Sequence, residues 1–162
     1  MVFDGDDNLV IVTGDNTNPF ESAGYAPLDE RAGRTSYDAQ RTSANTNDLR
    51  GKVLRIHPED DGTYTIPEGN MFAPGTDKTK PEIFAMGFRN PFRIGVDQKT
   101  GNVLVGDYGP DAQNANPSRG PGNTVEWNIV AEPGFYGWPY CTGDLAADLA
   151  DLVGTGQSGK AL

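Results

Sequence analysis

The sequence predicts an all-β chain, and three observations lead to that prediction. Turn residues are frequent, since the 162 residues include 21 Gly and 12 Pro, a composition that favours turns and short strands over helices. The apolar runs are short and are bounded by Gly, Asn, Asp and Pro. One strand pattern also recurs about 90 residues further along the chain. A chain of this length normally forms one domain.

Seven segments carry strand signals, namely β-branched or alternating apolar residues between turn residues. In one of them, Val53 and Arg55 face one side of the predicted strand and Leu54 faces the other. We therefore predict strands at 9–13, 51–57, 63–67, 82–87, 92–97, 102–107 and 125–130.

The connections between these strands differ in kind. Residues 15–48 are polar and irregular, with a short helical turn predicted at 38–41, and we expect them to cover one end of the β scaffold. Gly101 suits a hairpin between two of the strands. Residues 144–162 differ from the body 1–143, because Leu and Val recur there on one helical face before a frayed end. We predict a helical or frayed tail.

The recurring pattern spans residues 4–15 and 97–107. Each copy runs from an acidic Gly/Asn turn through a run of three or four apolar residues to a Gly-Asp pair. Short strands, turn signals and such a repeat together predict propeller blades with long insertions.

A loop rich in Gly, Pro, Asn and Asp precedes the last predicted strand. Structureless loops of about 15 residues in compact domains are usually functional or disordered. Calcium takes about 6–8 oxygens, many of them backbone carbonyls. Gly109 and Pro110 can turn their carbonyls inward, and Glu126 can supply a carboxylate. We interpret the loop as a site for a hard cation, Ca2+, although ordinary solvated turns explain the same composition.

Charge and composition exclude some classes of partner. The formal net charge of −10 argues against nucleic acid and anionic membranes as partners. No run approaches the about 20 apolar residues of a membrane span, and residues 1–4 show no signal peptide. The composition is typical of a secreted or periplasmic protein, or of one that carries cations. The single Cys141 cannot form an internal disulfide, so it is either a buried thiol or one half of a bridge whose partner lies outside this chain, a first hint of a piece of something larger.

Three motifs, taken in order, resemble a known family. They are GFRNP at 87–91, the Gly109-Pro110 pair followed by EWN at 126–128, and GFYGWP at 134–139. The chain resembles the glucose/sorbosone dehydrogenase family, soluble sugar dehydrogenases that depend on pyrroloquinoline quinone (PQQ). The resemblance covers about residues 1–143 and implies roughly two to three blades of a six-bladed β-propeller.

The resemblance also implies roles for six residues. Arg89 and Asn90 match a pair that contacts PQQ near the carbonyls that receive hydride, which makes Arg89 the candidate catalytic residue. A guanidinium is always charged and can stabilise a developing oxyanion, although a surface Arg in a turn is the simpler explanation. The implied calcium ligands are the carbonyls of Gly109, Pro110 and Tyr136 and the carboxylate of Glu126.

The sequence departs from the family pattern at several positions. The family's general base is a His that would lie upstream of Met1, and we interpret His57, the single His, as structural. Phe92 stands where the family often has Gln, which removes a polar cofactor contact. Val125 stands where some members have Asp, which puts a second calcium site in doubt. Basic residues that clamp the cofactor would lie beyond residue 162.

We therefore expect a fragment of a PQQ-dependent sugar dehydrogenase that is inactive alone and is extracellular or periplasmic. Its expected partners are a small-molecule sugar, an electron acceptor that the sequence does not identify, and the remaining propeller blades or further copies of itself. Two alternatives stay open: a calcium-stabilised, carbohydrate-binding or scaffold propeller without redox activity, and an unrelated acidic β domain.

Overall fold

The computed structural model describes residues 1–18, 20, 26–110, 114–115 and 122–142. Within these residues the chain forms nine strands and two short 3-10 turns, Thr35–Tyr37 and Ala39–Arg41. The strands are β1 (Val2–Phe3), β2 (Leu9–Thr13), β3 (Lys52–Pro58), β4 (Tyr64–Thr65), β5 (Ile83–Met86), β6 (Asn90–Val96), β7 (Val103–Tyr108), β8 (Val125–Val130) and β9 (Gly134–Phe135).

The first sheet has the strand order β1-β2-β3-β5-β9, and β4 pairs with β3 beside it. Its pairs are antiparallel except for β5 and β9, which run parallel. The predicted alternation in β3 is confirmed, because Val53 and Leu54 pack into clusters on opposite faces of the sheet. The sequence analysis did not predict the parallel pairing of β9.

The second sheet is an antiparallel arrangement with β7 between β6 and β8. The hairpin between β6 and β7 closes where the Gly101 N–H donates to the Asp97 carbonyl at 2.8 Å. Gly101 has a φ of +75°, a conformation that glycine adopts without steric cost. Strand β8 has the same bounds as the predicted strand 125–130.

The main hydrophobic core lies between the two sheets. It takes buried residues from both of them: Val10, Val53, Phe84, Ala85, Phe88, Val103, Val105 and Val130. A smaller cluster of Leu54, Ile83 and Met86 lies on the outer face of the first sheet, where Met71 and Phe72 of the following loop cover it. Packing between sheets therefore holds β6–β8 against β1–β5.

The all-β prediction is confirmed, and the two face-packed sheets have the arrangement of neighbouring propeller blades. The predicted helical turn at 38–41 is the 3-10 turn Ala39–Arg41, which Asp38 caps. The tail 144–162 lies outside the described residues. Within the part of the chain that the structure describes, no helix is long and apolar enough to cross a membrane.

Candidate active site

Arg89 and Asn90 lie where the chain passes from β5 of the first sheet to β6 of the second. The crossing begins at Gly87, whose φ is +86°. A Cβ atom at Gly87 would lie 2.9 Å from a ring carbon of Phe135, so only glycine fits there. Phe88 is fully buried in the core, Arg89 is buried, and Asn90 is exposed. The crossing is thus anchored directly before the Arg-Asn pair.

Asp107 on β7 holds the backbone of this crossing. Its Oδ2 accepts a hydrogen bond from the Arg89 N–H at 3.0 Å, and its Oδ1 accepts one from the Asn90 N–H at 2.7 Å. Burial raises the pKa of Asp107 to about 7, against the lowering effect of these two bonds. The negative charge of Glu126 also raises this pKa, and the positive charge of Arg89 lowers it.

Asp15, just after β2, contacts the other side of Arg89. Its N–H donates to the Arg89 carbonyl at 2.7 Å, and its Oδ2 accepts from the indole N–H of Trp138 at 2.8 Å. Burial raises the pKa of Asp15, while its hydrogen bonds to Thr17 and Trp138 and the charge of Arg89 lower it. Arg89 therefore lies within electrostatic reach of two buried carboxyl groups, and its charge favours the ionised form of both.

Glu126 lies beside Asp107, because the two residues are paired across the β7–β8 ladder. Their coupling is repulsive, since the charge of Glu126 raises the pKa of Asp107. Gly109 follows directly at the end of β7, where its N–H donates to the Thr124 carbonyl at 3.0 Å. A Cβ atom at Gly109 would lie 2.8 Å from that carbonyl oxygen. Gly109 is buried and Pro110 is half-buried at the same end of the sheet.

Tyr136 is positioned by the first sheet. Its N–H donates to the Met86 carbonyl at 2.8 Å, and its ring stacks on Phe88 with 5.3 Å between ring centroids. Its hydroxyl donates to the Glu132 carbonyl at 3.0 Å. Tyr136 therefore contacts the residue directly before Arg89, whereas Gly109 and Pro110 lie at the end of β7 and Glu126 lies on β8.

The positions that depart from the family pattern lie elsewhere. His57 Nδ1 is 3.0 Å from the side-chain oxygen of Asn8 at the β3–β4 end of the first sheet, a contact that supports a structural role. Phe92 and Val125 are exposed, and the Phe92 ring contacts Tyr108 with 5.6 Å between centroids. Cys141 is a buried thiol.

The groups at this end of the second sheet are oxygen donors and one guanidinium, the kinds of group that can bind hard cations and anions. Among the described residues, no three His, Cys, Asp or Glu side chains form a metal-binding group, and the ligand set expected from sequence likewise depends on backbone carbonyls. A divalent cation at Glu126 would offset its repulsion with Asp107. The Arg89 guanidinium suits the carboxylates and carbonyls of PQQ.

Asp15 and Asp107 are the site residues that the sequence analysis did not identify. The sequence repeat could have identified them, because Asp15 and Asp107 are each the Asp of the Gly-Asp pair that ends one copy of the repeat. The structure brings these two repeat ends together on opposite sides of the Arg89 backbone.

Comparison with known proteins identifies the family of this chain. The family model described as Glucose / Sorbosone dehydrogenase matches residues 1–151. The HIPL2 protein of Arabidopsis thaliana is 30% identical over 132 residues, which cover 74% of this chain and 17% of that protein. The HIPL1 protein of the same plant is 26% identical over 114 residues, which cover 62% of this chain and 15% of that protein.

Solved structures of sugar dehydrogenases have a similar fold. The soluble aldose sugar dehydrogenase from Escherichia coli, in its apo-form, matches with a TM-score of 0.55 and 26% identity, over 87% of this chain and 30% of that one. A putative oxidoreductase (glucose dehydrogenase) from Thermus thermophilus matches with a TM-score of 0.56 and 26% identity, over 87% of this chain and 32% of that one. The chain thus spans less than a third of these structures.

Proposed function

This chain belongs to the glucose/sorbosone dehydrogenase family, and we propose that it carries the cofactor-facing Arg-Asn pair and the calcium loop of a PQQ-dependent sugar dehydrogenase. The family match over residues 1–151 and the sugar dehydrogenase-like fold support the class of protein. The proposed substrate is the hydroxyl group of an aldose or sorbosone-type sugar, in an extracellular or periplasmic setting, with a separate electron acceptor.

The observation that carries this proposal is the position of Arg89. Its N–H and carbonyl are both hydrogen-bonded, to Asp107 and to the Asp15 backbone, so the backbone from which its side chain projects is fixed before any ligand binds. A pre-positioned guanidinium stabilises negative charge without reorganisation during the reaction. Asn90, the next residue along the chain, has an exposed amide side chain. Bound PQQ would accept the hydride from the sugar.

The calcium loop would act beside this pair. Glu126 would contribute a carboxylate, and Gly109, Pro110 and Tyr136 would contribute carbonyls, a hard-oxygen set that calcium accepts. Bound calcium would polarise the cofactor's carbonyl oxygens as a Lewis acid. The residues of this chain would hold the cation at the end of β7, where Glu126 and Asp107 are paired across the β7–β8 ladder and repel each other when both are ionised.

We assign proton removal from the sugar to a part of the protein other than this chain. His57 is the single His, and it contacts Asn8 at the β3–β4 end rather than the Arg89 crossing. We therefore expect the 162-residue chain, supplied with PQQ and calcium, to show no aldose oxidation in a dye-reduction assay. Measurable turnover would overturn this assignment.

Calcium binding can be tested on this chain. We expect Ca2+ to raise its melting temperature, and Glu126→Gln to remove that shift. Glu132→Gln is the matched control, because Glu132 is an exposed Glu nearby whose backbone carbonyl, not its side chain, accepts from Tyr136. A wild-type chain whose melting temperature and calorimetric heat do not respond to Ca2+ contradicts the metal assignment.

Cofactor binding is tested separately with PQQ itself. We expect PQQ absorbance to co-elute with the wild-type chain in calcium and to be lost from Arg89→Lys, because a Lys cannot reproduce the planar fork of donors. Arg93→Lys is the control at an exposed position on β6. Co-elution that is equal in the two variants contradicts the role of Arg89.

A calcium-stabilised carbohydrate-binding or scaffold module is the second candidate. Phe92 favours it, because an exposed ring stands where the family often has a polar cofactor contact. Calcium-dependent stability without any PQQ uptake would support this candidate over the dehydrogenase.

A further inference from the structure

A buried segment contacts the two residues that precede Arg89. It runs from residue 42 to residue 52, from the end of the 3-10 turn Ala39–Arg41 into β3, and we call it the 42–52 segment. Ser43 and Lys52, near its two ends, are fully buried although both are polar. Burying a polar or charged group is costly unless it is hydrogen-bonded, so the partners of these two side chains show what they hold in place.

Ser43 contacts the crossing with both its side chain and its backbone. Its Oγ donates to the Phe88 carbonyl at 2.7 Å, and its carbonyl accepts from the Gly87 N–H at 3.2 Å. The Phe88 N–H donates to the Gly51 carbonyl, also at 3.2 Å. These three hydrogen bonds satisfy backbone groups of two buried residues, and they hold the chain directly before Arg89 against the 42–52 segment.

Lys52 joins the two ends of the 42–52 segment. Its ammonium donates to the carbonyls of Thr42 at 2.7 Å and Ser43 at 3.1 Å, and to the carbonyl of Arg50 at 2.7 Å. Burial lowers the pKa of Lys52 to about 8, so the side chain is mainly charged at pH 7. An ammonium has three hydrogens to donate, and these match the three carbonyls. The segment is therefore closed into a loop by one buried cation.

Close packing leaves the segment little room to shift. Gly51 has a φ of +66°, and a Cβ atom there would overlap the Ser43 Oγ and lie 2.7 Å from the Phe88 carbonyl oxygen. Only glycine thus lets the segment lie directly against the crossing. The Gly51 N–H also donates to the Gly14 carbonyl at 3.0 Å, which ties the segment to the end of β2, directly before Asp15.

The Arg89 backbone is thus supported from two directions. Asp107 and Asp15 hydrogen-bond the residue itself, whereas the 42–52 segment holds the two residues before it. A functional side chain binds well only if the backbone that carries it stays in place. We propose that Ser43 and Lys52 are positioning residues for Arg89, which hold the crossing where the guanidinium can meet an anionic ligand. The choice of PQQ as that ligand rests on the proposed function, whereas the hold on the backbone does not.

Native-state hydrogen exchange of the whole 162-residue chain, read by NMR, tests the hold on the backbone. Ser43→Ala removes the side-chain donor to the crossing. Thr42→Val is the matched control, because the buried Thr42 hydroxyl donates to a carbonyl of the preceding 3-10 turn instead. We expect amides 87–90 to exchange roughly 5–10-fold faster in Ser43→Ala than in Thr42→Val, the effect of one lost hydrogen bond. Amides 103–105 of β7 should exchange alike in both variants.

PQQ affinity in calcium, measured by equilibrium dialysis, tests the consequence for the ligand. Ser43→Ala and Lys52→Met should each weaken binding roughly 5-fold or more, because a displaced guanidinium loses hydrogen-bond geometry with its ligand. Thr42→Val and Lys99→Met, the second at an exposed turn, should bind like the wild type. Circular dichroism shows which variants are folded, and Ser43→Ala decides the result if Lys52→Met does not fold.

The two measurements separate a local hold from a general contribution to stability. Exchange that is faster by the same factor in Ser43→Ala and Thr42→Val, over both sheets, would overturn the proposal. Unchanged PQQ affinity in a Ser43→Ala chain whose crossing exchanges faster would overturn it as well. A wild-type chain that binds no PQQ would contradict the proposed function of the site, and exchange at amides 87–90 would then decide by itself whether Ser43 holds the crossing.

Discussion

Asp107 shows how one side chain organises the candidate site. Its two carboxylate oxygens accept from consecutive backbone N–H groups, those of Arg89 and Asn90. Asp107→Asn replaces one acceptor oxygen with an amide that cannot accept, and it leaves a buried N–H without its partner. We expect a loss of about 1–3 kcal/mol in the free energy of unfolding at about pH 4, where Asp107 is protonated in the folded chain and no cost of ionising it offsets the lost hydrogen bond. Urea denaturation measures it, and Asp60→Asn at an exposed turn is the control.

The same residue predicts a pH dependence of stability. The pKa of Asp107 is raised from 3.8 to about 7 in the folded chain, so between these values the folded state binds more protons than the unfolded state. The free energy of unfolding should therefore fall as pH rises from about 4 to about 7, by on the order of 2–4 kcal/mol. The Asp107→Asn chain should lose most of this fall, although Asp15, with its raised pKa, contributes in the same direction. An equal slope in both chains contradicts the assignment.

Lys52 is the second residue with an unusual environment. It is fully buried, and its ammonium donates to the carbonyls of Thr42 and Arg50 at 2.7 Å and of Ser43 at 3.1 Å. Burial lowers its pKa to about 8, so it is still charged at pH 7. Lys52→Met leaves three carbonyls without this donor and should cost about 2–4 kcal/mol of stability.

Denaturation at pH 7 measures this cost, with Lys99→Met in the exposed β6–β7 turn as the control. Lys52→Met chains that are as stable as the wild type would mean that desolvation of the ammonium cancels the three hydrogen bonds.

At the scale of elements, the crossing from β5 to β6 depends on Gly87. Gly87→Ala introduces a Cβ atom 2.9 Å from the Phe135 ring and 3.0 Å from the Gly137 nitrogen, at a φ of +86°. Gly62→Ala separates the cost of the backbone conformation from the cost of the clash. Gly62 has a φ of +84°, close to that of Gly87, but nothing lies within 4 Å of its Cβ position.

We expect Gly62→Ala to cost about 1 kcal/mol, from the backbone conformation alone. Gly87→Ala should cost about 3 kcal/mol or more, since the clash is added. Thermal denaturation compares the two, and similar losses would show that the crossing has room to adjust.

At the scale of the whole molecule, the residues of both hydrophobic clusters lie between positions 2 and 136. The predicted division into a body at 1–143 and a tail at 144–162 can be tested by deleting the tail. We expect the free energy of unfolding to change by less than about 0.5 kcal/mol, the range of changes away from the core. A large loss would show that the tail packs on the body and that the division is wrong.

The local features of this chain follow from the order of its residues. The β-branched run in β2, the alternation in β3 and the Gly101 hairpin all appear in the structure as the sequence predicts. The family could also be recognised from sequence, and the family match confirms it, whereas the roles of Arg89 and Asn90 stay predictions. The physical reason is that backbone sterics and the two-residue period of a strand act between near neighbours.

Contacts between distant parts of the chain were decided by the tertiary structure alone. Asp15 and Asp107 meet across the Arg89 backbone, β9 joins β5 in parallel, and one sheet face is covered while the other is open. No short-range pattern specifies these arrangements, because they depend on which faces of the two sheets pack together. That packing is set by the total apolar surface that the whole chain can bury.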